Sequence, residues 1–185
     1  FVMKKSFSPL LGKISLLAVA AALLLTLAGC KKDSSEYAPP TGFQLASDEN
    51  ADYCLYVPDK WTVDMTTAAS GAYFSAADPS SVSVMAWDMG NTDSTLDDWW
   101  EVNKNDISLV FSDFSLVSEE NTTIDGAYAK RYVYTAKLGE DEYKFLQQAA
   151  LKNGSVYLFT YTAKAASYDS HIDEVEEIAG FIKLK

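Results

Sequence analysis

Alternating apolar and polar positions in the second half of the chain predict a run of consecutive β-strands. Segments 114–123, 127–138, 142–152 and 155–163 together carry many aromatic and β-branched residues, which favour strands. Asp125-Gly126 and Asn153-Gly154 are dipeptides typical of tight hairpin turns, and residues 139–141 supply a third turn. Because short turns join strands that pair with each other, these segments predict a four-stranded antiparallel meander.

Two other segments space their apolar residues three and four positions apart, which predicts amphipathic helices. The first helix is expected over residues 95–111, with Ser94 and Asp97 forming its N-terminal cap. Its stripe consists of Leu96, Trp99, Trp100, Asn103, Ile107 and Val110. The second helix lies near the C-terminus, where one face carries Ile172, Val175, Ile178, Ala179 and Ile182. We expect Gly180 to end or fray this helix.

Shorter apolar segments before the first helix complete the fold prediction. Residues 53–57, 71–77 and 81–87 are expected as strands; the first stops at Pro58, and the third alternates with a period of two. The predicted elements follow the order strands, helix, meander and closing helix. This order indicates one α+β domain over residues 43–185. In such a domain the mid-chain helix and the C-terminal helix cover the faces of an antiparallel sheet.

The N-terminal thirty residues have the pattern of an export signal. Residues 1–29 contain three lysines and no acidic residue, and 13 of the 15 residues from Ile14 to Ala28 are apolar. This apolar run is shorter than the ~20 residues of a typical membrane-spanning helix, so a short membrane anchor is the less favoured alternative. Residues 1–29 are therefore predicted to be a signal peptide.

The segment Leu27-Ala28-Gly29-Cys30 resembles the lipobox of bacterial lipoproteins. The resemblance implies cleavage before Cys30 and attachment of a diacylglycerol to its thiol. Two acyl chains give durable membrane attachment without a spanning helix. Residues 30–42, rich in Ser, Pro and charged residues, are then a lipidated tether, and the expected location is the extracytoplasmic face of the cell membrane.

Composition and charge exclude several classes of function. The chain has 15 basic and 26 acidic residues and a net charge of −11, which argues against a nucleic-acid partner. The one histidine, His171, is expected to be exposed near the start of the last helix. The sequence contains no serine-hydrolase elbow, phosphate-binding loop or dinucleotide fingerprint, so we predict no enzymatic activity and no cofactor. Cys54 lies in an apolar run and is predicted to be a buried structural thiol.

Four stretches resemble the PsbP-like domains found in bacterial lipoproteins and in photosystem II extrinsic proteins, which are related to DcrB. They are Tyr56-Val57-Pro58-Asp59-Lys60-Trp61, Thr123-Ile124-Asp125-Gly126-Ala127, Tyr157-Leu158-Phe159-Thr160-Tyr161-Thr162-Ala163 and Phe181-Ile182-Lys183. The order of these stretches carries the resemblance, which covers nearly all of residues 43–185. It implies an α/β/α sandwich around an antiparallel sheet and a role as a binding and assembly module. Nothing in the sequence suggests a photosynthetic partner.

Two groups of residues are candidates for binding. Oxygen-bearing side chains cluster at Asp88, Asn91, Asp93, Asp97 and Asp98, and such ligands suit Ca²⁺. Their spacing lacks the EF-hand order, so a solvated loop and helix cap is the favoured interpretation. Trp87, Trp99 and Trp100 are the candidates for a partner-binding aromatic patch, although Trp99 and Trp100 are also expected to lie towards the core.

The sequence therefore favours a non-enzymatic binding or assembly lipoprotein. Its expected partners are the membrane, through lipidated Cys30, and a protein of the cell envelope. The alternative is a lipoprotein that binds a small ligand or a divalent cation, using a pocket at the sheet edge or the acidic loop after Trp87.

Overall fold

The computed structural model describes residues 37–66, 70–90 and 93–185. Within these ranges it contains eleven β-strands, two α-helices and one 3₁₀-helix. The strands are β1 (Phe43–Leu45), β2 (Tyr53–Cys54), β3 (Tyr56–Pro58), β4 (Thr62–Asp64), β5 (Ser70–Tyr73), β6 (Ser81–Asp88), β7 (Ser112–Ile124), β8 (Ala127–Leu138), β9 (Asp141–Lys152), β10 (Ser155–Lys164) and β11 (Lys183–Leu184). The α-helices are α1 (Leu96–Val110) and α2 (Ile172–Phe181), and the 3₁₀-helix is Tyr168–Ser170. The predicted signal peptide, Cys30 and the start of the predicted tether lie outside the described residues.

The central sheet has seven antiparallel strands in the order β4-β5-β6-β10-β9-β8-β7. Strands β7 to β10 pair in chain order, as the alternating pattern and the turn dipeptides predict. Asp125 and Asn153 adopt positive φ values of 48° and 53°, and the glycine after each is also at positive φ, which suits tight hairpin turns. The predicted α+β class is confirmed.

The two helices pack on opposite faces of this sheet, because successive residues of a strand point to opposite sides. One cluster, the α1-face cluster, contains Leu96, Trp99, Trp100, Ile107, Tyr132, Tyr134, Ala136, Phe145, Ala149, Val156 and Leu158. The other, the α2-face cluster, includes Trp61, Val133, Leu146, Phe159, Tyr161, Val175, Ile178 and Ile182. Strands β8, β9 and β10 contribute alternate residues to both clusters. The sheet is therefore the shared wall of two hydrophobic cores.

Several element boundaries differ from the predicted ones. The segment predicted as one strand over 53–57 is split into β2 and β3, because the Leu55 carbonyl instead accepts a hydrogen bond of 2.7 Å from the Ala46 amide. Strand β5 ends at Tyr73 instead of residue 77. After Tyr73 the chain turns back on itself, and the Phe74 amide donates a 2.8 Å hydrogen bond to the Ser80 carbonyl.

The predicted end of the C-terminal helix at Gly180 is wrong. Helix α2 continues through Gly180 to Phe181, whose ring packs edge-on against Phe43 at a centroid distance of 4.9 Å. The chain then forms β11, which pairs with β2. Packing at both sides of Gly180 thus outweighs its weak helix propensity.

The cap of α1 lies one residue later than predicted. Thr95, and not Ser94, is the N-cap, and its side chain accepts a hydrogen bond of 3.2 Å from the Asp98 amide. The Asp98 carboxylate in turn accepts from the Thr95 amide at 3.0 Å, which completes a capping box. At the other end of the helix, Val110 is 64% exposed, so the predicted apolar stripe ends at Ile107.

The described part of the predicted tether contacts the domain. The Tyr56 hydroxyl donates a 2.6 Å hydrogen bond to the Tyr37 carbonyl, and the Lys185 ammonium lies 5.8 Å from the centre of the Tyr37 ring. Nearby, Cys54 is a free and buried thiol, as predicted. In the part of the chain that is described, neither helix is long and apolar enough to cross a membrane.

Candidate binding site

A groove opens where the first half of α1 passes the end of β6. Its cavity has a volume of about 460 Å³. The residues that line it are Trp87, Asp88, Met89, Ser94, Asp98, Trp99, Val102, Asn103 and Asp106. They come from the end of β6, the connection that follows it, and one side of α1. We call this cavity the Trp87–Trp99 groove.

Tryptophan rings form the apolar part of the groove. The Trp87 and Trp99 rings lie 6.1 Å apart, centre to centre, at an angle of 41°. Trp87 is half-buried, whereas Trp99 and Trp100 are only 5% and 4% exposed. Trp100 lies beyond the groove and stacks on Tyr132 at 3.7 Å. Of the three tryptophans predicted as a partner-binding patch, two line the groove and Trp100 supports it from the core.

The rim of the groove is acidic. Asp88, Asp98 and Asp106 line the groove, and the described lining contains no lysine, arginine or histidine. The Thr95 hydroxyl and amide donate hydrogen bonds to Asp98, and this lowers the pKa of its carboxyl below the usual range. An Asp88 oxygen accepts from the Gly90 amide at 2.7 Å. The groove therefore combines negative charge with aromatic faces, an arrangement that attracts organic cations.

The structure gives two of the predicted calcium-binding carboxylates other partners. Asp97 pairs with Lys130, which also contacts Glu119 at 2.9 Å, and Asp98 caps the helix. Asp88 faces the groove, Asp93 lies just before α1, and Asn91 is outside the described residues. Among the residues that are described, no group of three or more His, Cys, Asp or Glu side chains could hold a metal ion.

The prediction that His171 is exposed is wrong. Its side chain is buried, its ring lies 4.2 Å from the Phe74 ring, and its Nε2 is 2.8 Å from an Asp78 oxygen. The Ser80 hydroxyl donates to the other Asp78 oxygen at 2.6 Å. These hydrogen bonds, from Ser80 and then from His171, lower the pKa of the Asp78 carboxyl, although burial opposes them.

The Asp78, Ser80 and His171 side chains do not form a hydrolytic triad. In a triad the histidine contacts the serine hydroxyl and can take its proton. Here the carboxylate lies between the two, and the Ser80 hydroxyl donates to Asp78 and not to His171. The three side chains instead connect the β5–β6 loop to the start of α2. Asp78 and Ser80 also line a second cavity of about 590 Å³, together with Tyr143 and Lys164.

Sequence reasoning named four residues of the groove as binding candidates, Trp87, Asp88, Asp98 and Trp99, but missed others. Val102 and Asp106 lie three and seven positions after Trp99 and therefore share its side of the helix. That spacing was a usable signal. The predicted apolar stripe left out Val102 and Asp106, however, and the sequence does not reveal that both lie exposed on α1 beside the end of β6.

Comparison with known proteins establishes the fold alone. No protein-family model matches this chain, and neither does any curated protein. Among solved structures, cyanobacterial PsbP (CyanoP) from Synechocystis sp. PCC 6803 is similar, with 18% identity and a TM-score of 0.57. The match covers 78% of this chain and 93% of CyanoP. The chain thus has a PsbP-like α+β fold.

Two further structures share this fold. LpqN of Mycobacterium tuberculosis, described as involved in cell envelope biogenesis, has 14% identity and a TM-score of 0.53, covering 76% of this chain and 90% of LpqN. The Ran-binding protein Mog1p of Saccharomyces cerevisiae has 8% identity and a TM-score of 0.55, covering 77% of this chain and 95% of Mog1p. At these identities the likeness identifies a fold and assigns no activity to this chain.

Proposed function

We propose that this protein is a lipid-anchored binding or assembly module at the extracytoplasmic face of the cell membrane, with no enzymatic activity. The observation that carries the proposal is the Trp87–Trp99 groove, an open aromatic and acidic surface at the edge of the α1-face cluster. Aromatic residues in such grooves are typical contact points for a partner. Similar folds in LpqN, described as involved in cell envelope biogenesis, and in Mog1p, described as Ran-binding, support a binding role.

The lipobox at Cys30 supports the proposed location. A lipidated Cys30 would hold the domain close to the membrane, where the partners within reach are other envelope proteins. The groove lies on the α1 side of the sheet, and α2 covers the opposite side. A partner bound at the groove therefore leaves the α2 side free, and this difference can be tested directly.

The test is site-specific photo-crosslinking in cells that express the full-length protein. The photoreactive residue benzoylphenylalanine is placed at Val102, which is 62% exposed at the groove, or at Glu177, which is exposed on α2. We expect a specific envelope protein, identified by mass spectrometry, to be crosslinked from position 102 and not from 177. Replacing Cys30 with Ala should abolish the crosslink. Equal labelling from both positions, or no dependence on Cys30, would contradict the proposal.

A small-ligand lipoprotein is the second candidate function. The second cavity, next to Asp78 and Ser80, favours it, because its volume of about 590 Å³ lies within the range of ligand pockets. A saturable increase in melting temperature with one small molecule, lost on replacing Lys164 with Ala, would support this candidate. An unchanged melting temperature across a metabolite panel would count against it.

A further inference from the structure

Several carboxylates on and near α1 have a cationic partner, whereas the three acids of the groove have none among the residues that the structure describes. Asp97 pairs with Lys130, Glu101 with Lys104, and Asp113 with Lys137. Asp88, Asp98 and Asp106 form no ion pair with any residue that the structure describes. Three carboxylates thus share one cavity whose described lining carries no positive charge.

The aromatic walls favour one kind of positive charge. The Trp87 and Trp99 rings are tilted at 41° to each other at the wall of the cavity, and Met89 and Val102 add apolar lining beside them. Tryptophan binds organic cations over its face better than any other side chain. A cavity of about 460 Å³ has room for an extended aliphatic stem as well as its charged end. These features fit a lysine or arginine side chain, whose stem is apolar and whose end is cationic.

The surface beside the groove favours a cation carried by a protein. Val102 and Leu109 are seven positions apart on α1, hence on one face, and they are 62% and 85% exposed. Two exposed apolar side chains therefore flank Asp106 on this face of the helix. A free small cation would leave them uncovered, whereas residues flanking a basic side chain would cover them.

We propose that the Trp87–Trp99 groove binds a lysine or arginine side chain in a basic surface segment of a partner protein. This inference rests on the proposed function and specifies the chemistry of the partner. The charged end lies among the carboxylates of Asp88, Asp98 and Asp106, and the aliphatic stem lies against the two indole rings. The net charge of −11 steers such a segment towards the protein.

The test uses the full-length chain in a neutral detergent and measures binding of end-blocked trilysine by calorimetry at low salt. We expect saturable binding that weakens as salt is added. Trp87→Leu and Asp106→Asn should each weaken it about fivefold or more. Glu177→Gln also removes one exposed carboxylate, but from α2 on the opposite face of the sheet, and should change the affinity less than about twofold because Coulomb interactions in water weaken with distance. Asp106 is exposed on the helix surface, so Asp106→Asn tests the groove even if Trp87→Leu reduces stability.

Three results would overturn the inference. The first is equal binding of trilysine with acetylated ammonium groups, because the charge would then be irrelevant. The second is an effect of Glu177→Gln as large as that of Asp106→Asn, because binding would then follow net charge alone. The third is spermidine binding at least tenfold more tightly than trilysine, because the groove would then select a free polyamine.

Failure here is distinguishable from failure of the proposed function. If an envelope protein is still crosslinked in cells from position 102 after Trp87→Leu and Asp106→Asn, the binding role stands and the basic side chain is not the contact. If trilysine binds as expected but no envelope protein is crosslinked, the groove chemistry stands and the proposed role fails.

Discussion

The hydroxyl of Tyr132 is an unusual polar group for a protein core. Its ring stacks on Trp100 at 3.7 Å and 8°, and its oxygen is buried with no hydrogen-bond partner among the described residues. This burial raises the pKa of the Tyr132 hydroxyl to about 12. Replacing Tyr132 with Phe keeps the stacked ring and removes the unpartnered oxygen. We therefore expect the free energy of unfolding, measured by urea denaturation, to rise by about 1 kcal/mol.

Tyr161 provides the matched control in the other core. It is also fully buried, but its hydroxyl donates a 2.9 Å hydrogen bond to the Tyr168 carbonyl. Tyr161→Phe leaves that carbonyl without this donor and should lower the free energy of unfolding by about 1 kcal/mol. If Tyr132→Phe and Tyr161→Phe lowered the free energy of unfolding equally, the Tyr132 hydroxyl would have a hydrogen-bond partner.

His171 illustrates what the sequence cannot show at this scale. Its position before a predicted helix indicates exposure, and the local pattern contains nothing against that. Its partner Asp78 is 93 positions away, and its ring neighbours Phe74 and Trp61 are also distant. Burial of this residue depends on how the β5–β6 loop meets the start of α2. A hydrophobic pattern relates only residues that are close in the sequence, so it gives no information about the contact between this loop and α2.

At the scale of elements, the start of α1 determines the shape of the groove. Thr95 caps the helix, and the reciprocal hydrogen bonds hold Asp98 at the rim. Thr95→Ala removes the side-chain cap and should lower the free energy of unfolding by about 1 kcal/mol at neutral pH, measured by urea denaturation. Ser94→Ala is the control and should change it little, because Ser94 is not the cap.

The effect of Thr95→Ala should depend on pH. The pKa of Asp98 is lowered in the folded protein by hydrogen bonds from Thr95, so their contribution is fully present above the ordinary carboxyl pKa of about 4. It is lost as the pH falls through the lowered value, when the carboxyl becomes protonated. The difference between the wild type and Thr95→Ala should therefore shrink below about pH 4. A difference that grows in acid would contradict this account.

Elements built from local signals were predicted well, and their ends less so. The meander follows from a two-residue period and from turn dipeptides whose asparagine and aspartate accept positive φ. The cap of α1 was misplaced because Ser94 with Asp97 and Thr95 with Asp98 fit the same spacing. The structure favours the second pair, since Leu96 is buried as the first helical residue and Asp97 is paired with Lys130.

At the scale of the whole molecule, one sheet separates two cores that share its strands. Residues 132 and 134 of β8 belong to the α1-face cluster, and residue 133 between them belongs to the α2-face cluster. Neither core can unfold without disrupting strands that also contribute side chains to the other core. The sequence predicted a helix on each face from the two apolar stripes. It could not reveal that the end of β6 and one side of α1 leave an open groove between them.

The shared strands predict that the molecule unfolds as one unit. Ile178 is fully buried under α2, so Ile178→Ala creates a cavity and should lower the free energy of unfolding by about 2–5 kcal/mol. Three of the four tryptophans, Trp87, Trp99 and Trp100, lie on the α1 face, and Trp61 lies in the α2-face cluster, so tryptophan fluorescence is weighted towards the α1 face, whereas far-UV circular dichroism reports on the whole fold. We expect both urea midpoints to fall together, although the cavity lies on the opposite side of the sheet.

Val102→Ala, at an exposed position of α1, should leave both midpoints nearly unchanged. A fluorescence midpoint that stays in place while the dichroism midpoint falls would mean that the two faces unfold separately, and that the α1 side with its groove is stable without the α2 core.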